Sequence, residues 1–373
     1  MHGPQLAFAM FAAALLAAAL VPLVRRVAVL LGAVDRPGGR RSHQGEVPRL
    51  GGVAIFGATA GGLVCCWVLG GALPQALQAN PAGVGGVAAG GTLMFLLGAM
   101  DDVWGLRPLS KLGGQVLAAA LAVWGGCRIE VIGWLDGTVA LGVLAAPLTA
   151  LWIVGITNAW NLLDGLDGLA AGVAILALGS VLAIAAEGHC SVAAFSAVLL
   201  GATAGFWLYN LPPASIFLGD SGSQFLGFCV GVLTAYAHAK QLVGSITTVA
   251  LLLVALPLGD TAWAIGRRYL RGLLPLRARS PLAALARIFV ADRGHLHHRL
   301  LALGLSPRQA VLLLFGIQAG CCLLALYLSV LAYARASASP PGTGPAEAVP
   351  AVQTGPGTSI PGLPAARVRT DGP

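Results

Sequence analysis

The sequence predicts an all-α, polytopic membrane protein, a bundle of about ten transmembrane helices with its polar loops gathered on one face. Three observations carry that expectation. The chain has 373 residues, of which 57% are hydrophobic and only 10% charged, whereas a soluble domain averages near one quarter charged. So few charges cannot cover a water-facing surface, so lipid is the solvent for most of the chain. Long apolar runs recur along it, and the basic residues cluster between particular pairs of runs.

Apolar runs occupy 5–24, 51–70, 83–100, 113–125, 139–157, 168–186, 191–209, 222–238, 245–264 and 309–333. Each approaches the roughly 20 residues that cross a hydrocarbon core, the fourth being short. The first run has no small-residue cleavage site leading into a polar mature chain, so it reads as a retained span. Segment 125–141 alternates enough to form a small hairpin. Cys65–Cys66 and Cys321–Cys322 are adjacent pairs within apolar runs, which is not a disulfide framework. From 334 to 373 the chain is Pro, Gly, Ala and Ser without periodicity and reads as a disordered tail on a 1–333 transmembrane domain.

Sidedness follows from Lys and Arg. Segments 25–50, 101–112 and 265–308 hold 17 of the 22 basic residues. With ten spans these three loops share one side, which is then cytoplasmic, and both termini lie outside. The net charge of +8 thus belongs to membrane topology, and no nucleic-acid partner is expected. The loops "ITNAWNLLDGLDGL" and "LPPASIFLGDSGSQFLGF" fall on the same side, at the inner membrane's cytoplasmic face.

Several motifs there suggest chemistry. Asp101 and Asp102 close an apolar run, although a helix C-terminus disfavours negative charge; they are either a solvated helix end or a site for a cation. Lys111 is either a snorkelling residue or a phosphate ligand. Asn158, Asn161, Asp164 and Asp167 recur every three residues, a spacing that stacks side chains along one helical face; the plainer reading is an Asx-rich turn with caps. Asp220, in Gly-Asp-Ser-Gly-Ser, opens a span, where it or Ser221 serves as an N-cap and free N–H groups suit an anion. His295, His297, His298 and Arg299 form a cationic cluster in the most basic loop; zinc has neither a nearby Cys nor a recognised spacing.

Hard oxygen donors without Cys suit Mg²⁺, or Mn²⁺. With basic groups around them at the mouth of a lipid-embedded bundle, they suit a soluble activated nucleotide and a lipid phosphate, hence phosphoryl transfer. A secondary transporter is the competing class, but it keeps ionisable residues near mid-membrane in paired repeats, and no convincing repeat is visible.

"DDVWGLRPLSKLGGQ", "NAWNLLDGLDGLAAG", "FLGDSGSQFLGF" and "HLHHRLLALGLSPRQAVL" occur in that order. They resemble the signature loops of the polyprenyl-phosphate N-acetylhexosamine-1-phosphate transferase family, and "DRPGGRRSHQGEVPRLGG" resembles its first cytoplasmic loop. The resemblance covers roughly 1–333. It implies transfer of a sugar-1-phosphate, with N-acetylglucosamine favoured, from a UDP-sugar to a polyprenyl phosphate such as undecaprenyl phosphate. UMP is released, Mg²⁺ is required, and the step initiates a cell-envelope polysaccharide. It implies Asn161 and Asp220 as metal ligands, Asp101 and Asp102 at the acceptor phosphate, and Asp164 and Asp167 as catalytic acidic positions near the nucleotide. Lys111, Asn158, His295, His297, His298, Arg299, His43 and Arg49 are implied substrate contacts, and a homodimer is compatible with the pattern. The phospho-MurNAc-pentapeptide branch usually has three contiguous His, whereas Leu296 interrupts them here. The insert "GLLPLRARSPLAALARIFVADRG" departs from the pattern. A lipid phosphate is largely dianionic at neutral pH, so the acidic pair need only orient it; an Asp nucleophile is the alternative.

Overall fold

A computed structural model describes residues 3–35, 46–69, 72–134, 137–186, 190–239, 246–273 and 295–338. Thirteen helices run through them: α1 Gly3–Leu30, α2 Gly51–Val68, α3 Ala72–Ala79, α4 Pro81–Trp104, α5 Pro108–Trp124, α6 Ala145–Leu163, α7 Leu169–Ala185, α8 Cys190–Asn210, α9 Gly219–Ala239, α10 Ile246–Leu253, α11 Ala255–Leu273, α12 Leu296–Ala302 and α13 Pro307–Ala338. Two antiparallel ribbons and a short 3₁₀ helix, Gly142–Leu144, complete the described elements. β1 (Val34–Asp35) pairs with β2 (Val47–Pro48), and β3 (Val131–Trp134) pairs with β4 (Gly137–Ala140), the hairpin expected between spans four and five. The tail from 339 lies outside the described residues.

Among the described residues, six helices are long and apolar enough to cross a membrane: α1, α2, α4, α6, α8 and α13. A bent pair makes a seventh if counted as one span. This is a multi-pass, all-α membrane architecture. Helix α5 starts five residues before the expected fourth run, at a favourable Pro108, and brings Lys111 into its first turn.

The expected ninth span, 245–264, is not continuous. It breaks between Leu253 and Ala255, and its halves meet at 84°. Pro257 lies in the first turn of the second half, where its missing N–H costs nothing. The break frees backbone groups that lipid cannot satisfy, and Gln318 of α13 satisfies them. Gln318 Oε1 accepts from Leu256 N at 3.2 Å, and Nε2 donates to Leu253 O at 3.0 Å.

Small residues set the closest helix approaches. A Cβ on Gly201 or Gly205 of α8 would lie 2.0 Å from Met10 O or 2.1 Å from Ala14 O of α1. In lipid such packing replaces the hydrophobic effect as the force between helices. A Cβ on Gly52 would meet Gly222 N at 2.2 Å, and one on Gly98 would meet Asp220 O at 2.3 Å. Thus α2 and α4 press directly on the first turn of α9.

Gly205→Val should cost about 1–3 kcal/mol by forcing α1 from α8, read as a lower unfolding temperature of detergent-purified protein. Gly316→Val is the control, because a Cβ there meets nothing within 4 Å. Equal unfolding temperatures for the two variants would contradict this packing.

Candidate active site

Asp102 explains why a carboxylate closes α4. Its Oδ1 accepts from Asp220 N at 2.8 Å and its Oδ2 from Ser221 N at 2.9 Å. The charge that the end of α4 disfavours thus faces the start of α9, where unpaired N–H groups and the helix dipole favour it. The expected cap by Asp220 or Ser221 is corrected: α9 begins at Gly219 and its cap comes from another helix. Gly219 has φ +72°, and a Cβ there would sit 2.6 Å from Asp102 Oδ2, so glycine is required.

The cap leaves the Asp220 side chain free to face Lys111. Lys111 Nζ donates to Asp101 Oδ2 at 2.8 Å and also to Asp220 Oδ2. Asp101 Oδ1 accepts from Leu106 N at 2.5 Å, tying the turn after α4. Asn161 Nδ2 donates to Asp220 Oδ1 and to Ser223 Oγ, both at 2.9 Å. Asn158 Nδ2 donates to Gln115 Oε1 at 2.7 Å, and Gln115 Nε2 reaches Gln224 Oε1 at 3.3 Å. Gln115 and Gln224, both buried, sit inside apolar runs, and the sequence reading passed over them. Asp101, Lys111, Gln115, Asn158 and Asn161 line a cavity of about 250 Å³ whose other wall is Leu106, Pro108 and Leu112. The lining combines charged and amide side chains with three apolar ones.

The Asn–Asp ladder is only partly helical. Asn158 and Asn161 lie on α6, which ends at Leu163 with Asp164 as its C-cap. Asp167 follows in a turn, and its Oδ2 accepts from Ala214 N at 3.0 Å. Gly168, at φ +75°, donates its N–H to Asn210 Oδ1 at 3.1 Å, and its carbonyl accepts from Trp207 Nε1 at 2.9 Å. Asn210, buried at the end of α8, also bonds Ile216 O at 2.9 Å. It therefore clamps the 164–168 turn to the segment leading into α9.

His295 is the N-cap residue of α12, and its Nδ1 lies 2.9 Å from Asp260 Oδ2 of α11. Asp260 Oδ1 also accepts from Leu296 N at 2.6 Å. His297 is buried and stands over the 164–168 turn: a Cβ on Gly165 would lie 2.3 Å from its Nε2. Arg299 instead covers the Trp263 ring, 5.7 Å from its centroid. Arg49 pairs with Asp35 beside the β1–β2 ribbon, whose strand β2 leads into Gly51 and Gly52, bonded to Phe217 O and Leu218 O. His43 lies outside the described residues.

The structure thus joins Asp101, Lys111, Asn158, Asn161 and Asp220 in one cluster, with Asp102 supporting it. Asp164 and Asp167 lie in the adjoining turn, over whose Gly165 His297 stands, and Arg299 and Arg49 point to other partners. Among the described residues, no three His, Cys, Asp or Glu side chains converge as a metal cage.

Residues 84–238 match the model of glycosyl transferase family 4. A probable undecaprenyl-phosphate N-acetylglucosaminyl 1-phosphate transferase of Bacillus subtilis (strain 168) is 34% identical over 299 residues, 79% of this chain and 77% of that protein. The chain belongs to glycosyl transferase family 4. A decaprenyl-phosphate N-acetylglucosaminephosphotransferase of Mycolicibacterium smegmatis (strain ATCC 700084 / mc(2)155) is 34% identical over 341 residues, 84% of this chain and 77% of the relative. An undecaprenyl-phosphate alpha-N-acetylglucosaminyl 1-phosphate transferase of Escherichia coli (strain K12) is 29% identical over 303 residues, 78% and 75% of the two chains. The glycosyl transferase family 4 match spans α4 to α9, the helices that build the lysine-bridged cluster.

Two outcomes follow from the geometry. Asp102→Ala should lower stability by about 0.5–2 kcal/mol, the worth of a cap, with Asp102→Asn intermediate because its amide has one acceptor for two N–H groups; identical unfolding temperatures would remove the cap from the account. Burial, with His298 nearby, pulls His297 down to about 4 from an ordinary 6.5 despite the opposing pull of Asp260. Folding favours its neutral form, so this contribution is complete above pH 6.5 and is lost as pH falls towards about 4. The unfolding temperature of the wild type should drop more steeply across that window than that of His297→Gln.

Proposed function

We propose that this protein transfers N-acetylglucosamine-1-phosphate from UDP-N-acetylglucosamine to a polyprenyl phosphate, releasing UMP. The observation that carries the reading is Lys111 held between Asp101 and Asp220 beside a cavity that Leu106, Pro108 and Leu112 also line. The names of the relatives support the sugar and the polyprenyl acceptor. That every relative cited is named for N-acetylglucosamine, together with Leu296 interrupting the histidines, favours this donor over a UDP-MurNAc-pentapeptide.

In the reaction an acceptor phosphate oxygen bonds to the phosphorus that carries the sugar. The bond from that phosphorus to the bridging oxygen breaks, and UMP leaves with the electron pair. A dianionic acceptor needs no proton removed, so the residues work by positioning and charge neutralisation. Asp101 and Lys111 orient the acceptor phosphate from the cavity wall, and Asp102 acts through α9 by holding Asp220 in place. The adjoining turn, with Asp164, Asp167 and His297, suits the nucleotide side.

Mg²⁺ fits the donor set. Asn161 spends its N–H groups on Asp220 and Ser223, and its carbonyl oxygen has no hydrogen bond among the described residues. The Asp220 carboxylate and the Asn161 amide, in hydrogen-bond contact, offer hard oxygens of the kind that Mg²⁺ combines with substrate phosphates. Asp220 and Asn161 would hold the ion, which when bound neutralises pyrophosphate charge.

The three basic segments support a cytoplasmic site in an inner-membrane enzyme. Purified protein given polyprenyl phosphate and a panel of UDP-sugars, with the lipid product weighed by mass spectrometry, tests the reaction. UDP-N-acetylglucosamine should give the product and UMP in equal amounts, in a Mg²⁺-dependent manner. Inverted membrane vesicles should use the impermeant donor, and right-side-out vesicles should not. Asp220→Ala should slow turnover on the order of a thousandfold. A different donor, or an unimpaired Asp220→Ala, would overturn the corresponding part.

A further inference from the structure

We propose that Asp260 is a positioning residue that sets the histidines of α12 against the 164–168 turn, an inference that rests on the transferase reading for its kinetic arm alone. Asp260 is 2% exposed and lies in the apolar broken span. A carboxylate there is costly unless fully partnered. Its partners Leu296 N, at 2.6 Å, and His295 Nδ1, at 2.9 Å, come from one distant segment. An ionised carboxylate only accepts, so the His295 ring presents an N–H from Nδ1 to it.

A second contact fixes the register of the two helices. Trp263 lies three residues after Asp260, hence on the same face of α11, and takes the guanidinium of Arg299 over its ring. The start of α12 and its fourth residue are therefore both held to α11. Between them, His297 is pressed over Gly165. Its own Nδ1 is buried and has no hydrogen-bond partner among the described residues, so its orientation comes from the neighbours that hold the helix. Gln318, by satisfying the break before α11, fixes where Asp260 stands.

Two substitutions separate positioning from mere structural support. Asp260→Asn keeps an oxygen for Leu296 N–H but turns an N–H on His295 Nδ1, which must then accept and move its proton to Nε2. Asp260→Ala removes both contacts. Asp260→Asn should unfold near the wild-type temperature, and ¹⁵N spectra of histidine-labelled protein should show one imidazole changing tautomer. Its kcat should fall on the order of tenfold to a hundredfold, while KM for polyprenyl phosphate stays within about twofold because the cavity lined by Asp101 and Lys111 is untouched. Wild-type kcat in Asp260→Asn, or histidine spectra identical to wild type, would overturn the proposal. If the wild-type protein transfers no sugar phosphate from any donor, the transferase reading fails, and the tautomer measurement still decides the role of Asp260.

Discussion

The contact on which the site depends is the capping of one helix by the end of another. Asp102 lies in the last turn of α4, and its two oxygens close the first two N–H groups after Gly219. In an apolar bundle an unpaired helix start and an unpaired carboxylate are each costly. Set face to face, they satisfy each other. The geometry of Asp220 follows from that contact, because its backbone is held while its side chain turns to Lys111 and Asn161. Gly98 and Gly52 permit the approach, since a side chain at either position would push α4 or α2 off α9.

The two halves of the site are built by different means. The cavity half uses charge: carboxylates at 101 and 220 share one ammonium across three helices, α4, α5 and α9. The turn half uses backbone geometry, with glycines at 165 and 168 allowing His297 and Trp207 to come against the main chain. Helix α6 joins them. Asn158 and Asn161 serve the cavity, and the same helix ends at Asp164 where the turn begins. A displacement of α6 along its axis would therefore disturb both halves together.

Much of this was legible in the sequence. Apolar runs located the long helices, although α6 runs six residues later than the expected 139–157, and alternation located the hairpin. Of the acidic pair expected at a cation or a solvated end, Asp101 meets Lys111 and Asp102 meets the backbone of α9 instead. The rest depended on contacts between distant residues. Gln115, Gln224, Gln318 and Asp260 sit within otherwise apolar windows, where averaging over a span hides a single polar residue. An ionisable side chain in such a window is itself a signal, and Asp260 could have been singled out on that ground. The break before Ala255 had one local mark, Pro257, which suits a helix start as well as a kink. The three-residue spacing of Asn158, Asn161, Asp164 and Asp167 suits a helical face and an Asx-rich turn alike, and the chain uses both, since α6 ends at Leu163.

Behind the charged cluster stands a short ladder of amides, Asn158 to Gln115 to Gln224. An amide gives and receives hydrogen bonds without gaining or losing a proton near neutral pH. The scaffold that aims the charges therefore has a polarity that acid and base leave unchanged. Titration at the front of the site can alter what is held there without loosening the frame that holds it. A glutamate at 115 or 224 would fit the same space and break that separation, making the alignment of the charges itself a function of pH.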